Sequence, residues 1–361
     1  MHLPDAHLPD QMTRSLRLVE GLARIEALEA LDGYRGEVVA AISALLDAEG
    51  VDVLAVPQSV AAVNDVLTRR LLSMAEAELG PPPCDYAWLA LGSHGRGEQV
   101  PSSDQDSALA YAPRAGPDTD PHGGADADPG TYFGRLAGLV VPALARAGMP
   151  LCDGGYMATR WCRPVGELRR LFAGWVDAPE PAALLQAEVF LDVRPVHGAL
   201  AVGVLDRTLV AGGSRGPFQV QMARAAVTFR PPLGLLGRLR TVDGAVDVKR
   251  GGTAAVVLLA RLYALAGGSS ARSTLLRLQA AADSATLSRP AAAELGEGYR
   301  FLTGLRLRHQ VEQVRQGQTP DNVIDVGGLP RAQREQLRAT LRHVRDVQDS
   351  AALRFATHTV V

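Results

Sequence analysis

Gly92-Ser93-His94-Gly95-Arg96-Gly97-Glu98-Gln99-Val100-Pro101-Ser102-Ser103-Asp104-Gln105-Asp106 joins two short apolar runs, Tyr86 to Leu91 and Ser107 to Tyr111. Both runs read as strands, with a glycine-rich turn or short helix between them. Alternate residues of a strand share a face, so Asp104 and Asp106 project together while Gln105 points away. Two adjacent carboxylates repel each other unless a cation sits between them, and a divalent metal carrying a nucleoside triphosphate meets that need. Gly92 lets the backbone approach a phosphate closely, and Ser93 and Arg96 supply donors to its oxygens. The alternative is a plain glycine turn with Asp104 and Asp106 on the surface. The ordered combination at this spacing weighs against it.

Working outward, 361 residues exceed what one hydrophobic core usually serves, so two or three domains are expected. An apolar fraction of 47% can fill such cores, and a net charge of −2 provides no basic field for nucleic acid. No apolar run reaches membrane-spanning length, and the opening Met1-His2-Leu3-Pro4-Asp5 lacks a signal-peptide pattern. A cytoplasmic protein without a membrane partner is the expectation. Cys84, Cys152 and Cys162 are odd in number and scattered, which argues against a disulfide framework and fits a reducing compartment. Cys152 and Cys162 lack zinc-ligand spacing and read as small buried apolar residues.

The pattern predicts helices over 13–31 and 35–48 and a clearer one after Pro57, with Ser59 as N-cap and Gly80 as terminator. Val60, Val63, Leu67, Leu71 and Met74 form its apolar stripe, while Asn64, Asp65, Arg69 and Arg70 are either a solvated face or a brace for the turn that follows. Residues 113–130, rich in Pro, Gly, Ala and Asp, read as a surface loop. A helix follows with Phe133, Leu136, Val140 and Leu144, which Pro142 should kink or break. Another runs through Leu168, Phe172 and Trp175. From about residue 220 the pattern is helical to the end, and the connections suit an antiparallel bundle.

Gly92-Ser93, Arg96 and Asp104-x-Asp106 resemble the signature of the DNA polymerase β superfamily of nucleotidyltransferases. The longer string from Gly92 to Asp106 is similar to the N-terminal domain of bacterial PII-protein uridylyltransferases. It is most similar to the related nucleotidyltransferase family with a helical substrate-binding C-terminal domain. Further likeness lies in Cys152-x-Gly154-Gly155-x-Met157-Ala158, Phe190-x-Asp192-x-Arg194-x-Val196-x-Gly198, Asp247-Val248-Lys249-Arg250-Gly251-Gly252, Leu305-Arg306-Leu307-Arg308-His309-Gln310 and Pro320-Asp321-Asn322. It spans roughly residues 55 to 350.

The resemblance implies an α+β fold: a polymerase-β-like nucleotidyltransferase domain with a small mixed sheet over 81–215, an N-terminal helical segment over 1–80 and an all-α bundle over 220–361. It implies two-metal chemistry, with Asp104 and Asp106 holding Mg2+, pyrophosphate as leaving group and a third carboxylate. Asp153 and Asp192 both remain candidates for that carboxylate; each also has a structural reading, as a turn cap or an ion-pair partner. Lys249, Arg306 and Gln310 are expected to contact nucleotide from the helical half, closing the cleft over the aspartates. His309, at the edge of that helical face, has an alternative reading as a satisfied structural histidine. By analogy with the uridylyltransferases, the acceptor is a signalling protein. RNA or a small molecule stays open as acceptor, with the charge weighing against RNA. A catalytically silent nucleotide-binding regulatory module is the alternative, which the intact carboxylate pair disfavours.

Overall fold

The protein was analysed as a computed structural model that describes residues 31, 33–48, 50–113, 128–180, 187–234, 237–355 and 357. All but the last residue of the expected helix over 13–31 and most of the 113–130 loop lie outside these residues. Among the described residues, α1 (Tyr34–Leu46) and α2 (Ala55–Leu79) lead into a four-stranded mixed sheet. Its strands are β1 (Tyr86–Ala90), β2 (Ser107–Tyr111), β3 (Cys162–Pro164) and β4 (Arg194–His197), in spatial order β3-β2-β1-β4. β1 pairs antiparallel with both β2 and β4, and β2 pairs parallel with β3. The glycine-rich stretch forms α3 (Gly92–Arg96) between β1 and β2.

Every residue of β1 is buried because both faces of the sheet are covered. Tyr86, Trp88 and Ala90 pack toward α2 and α4 (Pro129–Arg146), against Leu67, Leu71, Phe133, Leu136 and Val140. Ala87, Leu89 and Leu91 face the other way, toward Leu168 and Phe172 of α5 (Val165–Asp177) and the C-terminal helices. Trp88 and Phe133 are at most 1% exposed, and burial of each contributes roughly 1.5–3 kcal/mol.

Two expectations are corrected here. α2 begins at Ala55, and Ser59 lies inside it, donating to Ala55 O rather than capping the N-terminus. Pro57 falls in the first turn, where its missing N–H costs nothing, so it does not delay the helix. α4 runs unbroken through Pro142 to Arg146. Its N-cap is Asp128, whose side chain accepts from Thr131 N.

The C-terminal half contains α6 (Gly203–Gly212), α7 (Gly216–Thr228), α8 (Ala254–Ala266), α9 (Thr274–Asp283), α10 (Arg289–Arg315) and α11 (Arg331–Arg354). It also carries a small antiparallel pairing of β5 (Ala245–Asp247) with β6 (Val323–Asp325). A single π-helical turn, Lys249–Thr253, opens α8, with Thr253 N bonded to Val248 O. Such turns are uncommon and frequently sit at functional sites. One apolar core joins this half to the sheet: Leu89 and Ala110 belong to the same cluster as Val256, Leu259 and Leu262 of α8. Among the described residues no helix is long and apolar enough to cross a membrane.

Candidate active site

Gly92 is the pivot of the site. It turns the chain at a positive φ of 51°, and a Cβ there would overlap Asp106 Oδ2. Any side chain would therefore displace the carboxylate as well as strain the backbone. Gly95 is equally constrained, since its Cβ would overlap the carbonyl oxygen of Asp192. Leu91 N donates to Asp106 O at 3.0 Å, tying the end of β1 to the start of β2.

Gln105 faces away from its neighbours and fastens the segment to the end of α4 and the chain that follows it. Its Nε2 donates to Val141 O (3.2 Å) and Met149 O (3.1 Å), and its backbone N donates to Pro150 O. Gln105 also forms an isolated parallel bridge with Leu151. The next residue, Cys152, is thereby placed beside the aspartate pair. One ligand atom from each of Asp104, Asp106 and Cys152 lies within 4.8 Å of the other two. Burial and then the charge of Asp104 push the Asp106 carboxyl up to about 6, against opposing contributions from the Cys152 thiol, Arg96 and Lys249. Burial, with the nearby aspartates, pushes the Cys152 thiol up to about 12.

Asp104 and Asp106 open on a cavity of about 230 Å³ between the sheet and the helical half, with Cys152 behind them and outside its lining. Gly92, Ser93, Arg96, Asp104 and Asp106 line one side, and Lys249, Arg261 and Arg306 the other. Lys249 is the only lysine among the chain's 37 basic residues. It stands on the π-turn, where Asp247 Oδ1 accepts from Lys249 N and Arg250 N. Arg306 donates to Asn322 Oδ1 (2.9 Å) and Thr253 Oγ1 (3.3 Å), and burial lowers its guanidinium to about 10.

Gln310 does not line the cavity. It is fully buried, and its amide exchanges two hydrogen bonds with Ser102 while also reaching Asp321 O and Asn322 Oδ1. α10 thus holds the loop that carries Asp104. His309 pairs with Asp321 at 2.8 Å, so the Pro320-Asp321-Asn322 motif serves as an anchor for α10.

Neither candidate for the third carboxylate joins the aspartate pair. Asp153 is exposed and outside the cavity lining. Asp192 reaches the cavity wall but is fully buried and takes hydrogen bonds from Arg96, Arg261 (2.6 Å) and Arg277 (2.7 Å). Burial alone would raise its carboxyl, and the three arginines hold it well below the usual carboxylate range. Arg96 also donates to Glu98 (2.6 Å), which accepts from Thr274 N and Thr274 Oγ1 at the start of α9. Arg96 is therefore a bridge between the halves as well as a cavity residue.

Arg261, Arg277 and Glu98 escaped the sequence reading. Arg261 carried a signal: it is a lone charge in the otherwise apolar helix Ala254–Ala266, and buried charges need partners. Asn64 and Asp65 brace the turn. Asn64 donates to Gln99 Oε1 at 2.9 Å. Asp65 bonds His94 Nε2 at 2.8 Å and takes a two-pronged bond from Arg194 at 2.8 and 2.9 Å. Burial would raise the Asp65 carboxyl, but His94 and Arg194 bring it down to about 2.

Residues 37–182 match the family described as Putative nucleotidyltransferase DUF294, and residues 216–355 match the one described as Putative nucleotidyltransferase substrate binding domain. The chain belongs to this nucleotidyltransferase family. No curated protein matches it. The first match contains the glycine turn and the aspartate pair, and the second contains Lys249, Arg261 and Arg306. Membership supports a general nucleotidyl-transfer function and, with it, binding of a nucleotide substrate.

Proposed function

We propose that this protein transfers a nucleoside monophosphate from a nucleoside triphosphate to an acceptor hydroxyl and releases pyrophosphate. The carrying observation is the half-buried pair Asp104 and Asp106, facing a cavity whose far wall is cationic. The residues fit a divalent ion, because the Asp106 carboxyl is pushed up by burial and by Asp104, a situation a bound cation relieves. Asp104 and Asp106 would hold Mg2+ or a similar ion, which supplies charge neutralisation at the phosphates and acidifies the attacking hydroxyl.

The chain's own groups do the rest. Gly92 and Ser93 offer close backbone and hydroxyl contact to phosphate oxygens, and Lys249 and Arg306 bring positive charge from the helical half. The acceptor oxygen bonds to the α-phosphorus as the bond to the bridging oxygen of pyrophosphate breaks, and the hydroxyl proton passes to solvent. Helices α8 and α10 wall one side of the cavity and so reduce the access of water, which would otherwise compete as acceptor. The resemblance to the PII-protein uridylyltransferases supports a tyrosine of a small signalling protein as acceptor and leaves the base of the nucleotide open.

Incubation with each α-labelled nucleoside triphosphate, a divalent metal and candidate protein, RNA and small-molecule acceptors tests this reading. Label should move to an acceptor with release of pyrophosphate, and Asp104→Asn should reduce transfer on the order of a hundred-fold or more with the fold intact. Full activity in Asp104→Asn would place the chemistry elsewhere.

A further inference from the structure

The aspartate pair is closed on a third side by a thiol, where the two-metal scheme calls for a carboxylate. Cys152 is 8% exposed, and one ligand atom from each of Asp104, Asp106 and Cys152 lies within 4.8 Å of the others. Metal–oxygen and metal–sulfur bonds of roughly 2.0–2.3 Å let one ion bridge such a triangle with small side-chain adjustment. The placement is held from outside the cluster: Gln105 anchors Val141 and Met149, and its bridge to Leu151 fixes the residue before Cys152.

A buried cation stands on the wall of the cavity that Asp104 and Asp106 face. Arg261 lines the cavity with a side chain 3% exposed, and its Nε is buried without a hydrogen-bond partner among the described residues. Its guanidinium is held by Asp192 at 2.6 Å, so it brings a fixed positive charge to the cavity wall. A polyphosphate held by a metal at the aspartates would meet that charge across the cavity.

Mg2+ is a hard ion that favours oxygen ligands and binds thiolate poorly, whereas Zn2+ and Cd2+ accept sulfur readily and Mn2+ and Co2+ lie between. We infer that Cys152 is the third protein ligand of the divalent-ion centre, and that it makes the centre prefer borderline and thiophilic ions over Mg2+. The inference takes the location of the metal from the proposed function. Binding forms a metal–sulfur bond as the S–H bond breaks, releases one proton to solvent and changes no oxidation state.

The test is optical and needs no turnover, so failure to find transfer activity would count against the functional reading alone. The full chain is titrated with Co2+ and Cd2+ without nucleotide, and absorption from thiolate-to-metal charge transfer is followed. The band should appear at one equivalent, persist in Cys84→Ser and vanish in Cys152→Ser, with Cd2+ affinity reduced at least about ten-fold. Cys152→Asp, which restores a third oxygen ligand, should bind Mg2+ more tightly and Cd2+ more weakly than the parent. Circular dichroism verifies that each variant is folded, and if Cys152→Ser is not, Cys152→Asp decides. No band in the parent, an undiminished band in Cys152→Ser, or an unchanged metal preference in Cys152→Asp would each overturn the assignment. Cys152 would then be only a hydrogen-bond donor to Asp106.

Discussion

Asp192 and Asp106 line one cavity and are treated in opposite ways. Asp192 sits where three guanidinium groups converge, and they hold its carboxyl low despite complete burial. Asp106 has another carboxylate beside it and a thiol as partner, and its carboxyl is pushed up to about 6. A carboxylate whose charge is already met by three guanidinium groups gains little from a further cation. One that lacks positive charge is held ready for a cation supplied from outside, which is how a functional acid differs from a structural one. Asp192 fastens the four-stranded sheet to α8 and α9; the aspartate pair is the one to which the proposed function gives the chemistry.

The largest expected stability effect lies at the saturated end. Asp192→Asn removes the charge that three buried arginines share, and breaking a buried ionic network in this way costs about 3–5 kcal/mol. Urea unfolding should show that loss, with separation of the two halves as the first event. Asp104→Asn should leave the unfolding midpoint unchanged or slightly raised, since it removes a like charge. If the two variants unfold alike, the contrast between the two kinds of acid fails.

Asp106→Asn should go the other way. The folded-state pKa of about 6 stands above the ordinary aspartate value of 3.8, so the folded chain binds more protons than the unfolded one between these limits. Stability therefore falls as pH rises from about 4 to 6, and ionised Asp106 is a cost at neutral pH. The asparagine variant avoids that cost and should be more stable by about 1–3 kcal/mol at pH 7.5, with the difference closing as pH drops to 4. Thermal melts of the metal-free protein across that range check the sign. A destabilised variant at pH 7.5 would mean that the thiol and nearby cations already satisfy the carboxylate.

Local patterns carried most of the fold, and long-range pairings carried what the sequence hid. The strands around the glycine turn, the shared face of Asp104 and Asp106 and the helices of the C-terminal half follow from apolar periodicity and end signals within a few residues. The three-residue strands β5 and β6 are too short to show a period. Helical spacing put Arg306 and Gln310 near one face, yet Arg306 reaches the cavity while Gln310 holds Ser102. Neighbouring elements decide that difference. Cys152 joins the aspartates through the clamp of Gln105 on a distant segment, so no spacing rule could flag it. The three arginines around Asp192 arrive from three separate helices for the same reason.

Asp65 is a second saturated acid and offers the smallest and finest test. Like Asp192 it is clasped by cationic or hydrogen-bonding partners, Arg194 and His94, but it lies nearer solvent, with its side chain 11% exposed. Its carboxyl is lowered from 3.8 to about 2, so its contribution is present above the unfolded value and lost as pH falls toward 2. Discounted for partial solvent screening, that contribution is about 1–2 kcal/mol at neutral pH. Asp65→Asn should show that loss in urea unfolding at pH 7 and none near pH 2. Because His94 and Arg194 hold α3 against α2 and β4, the variant should also weaken nucleotide binding through a less fixed Ser93, without touching metal uptake. If Asp65→Asn instead impaired metal binding as strongly as Asp104→Asn, the brace and the metal centre would be one unit, and the division between saturated and unsaturated acids would fail at its edge.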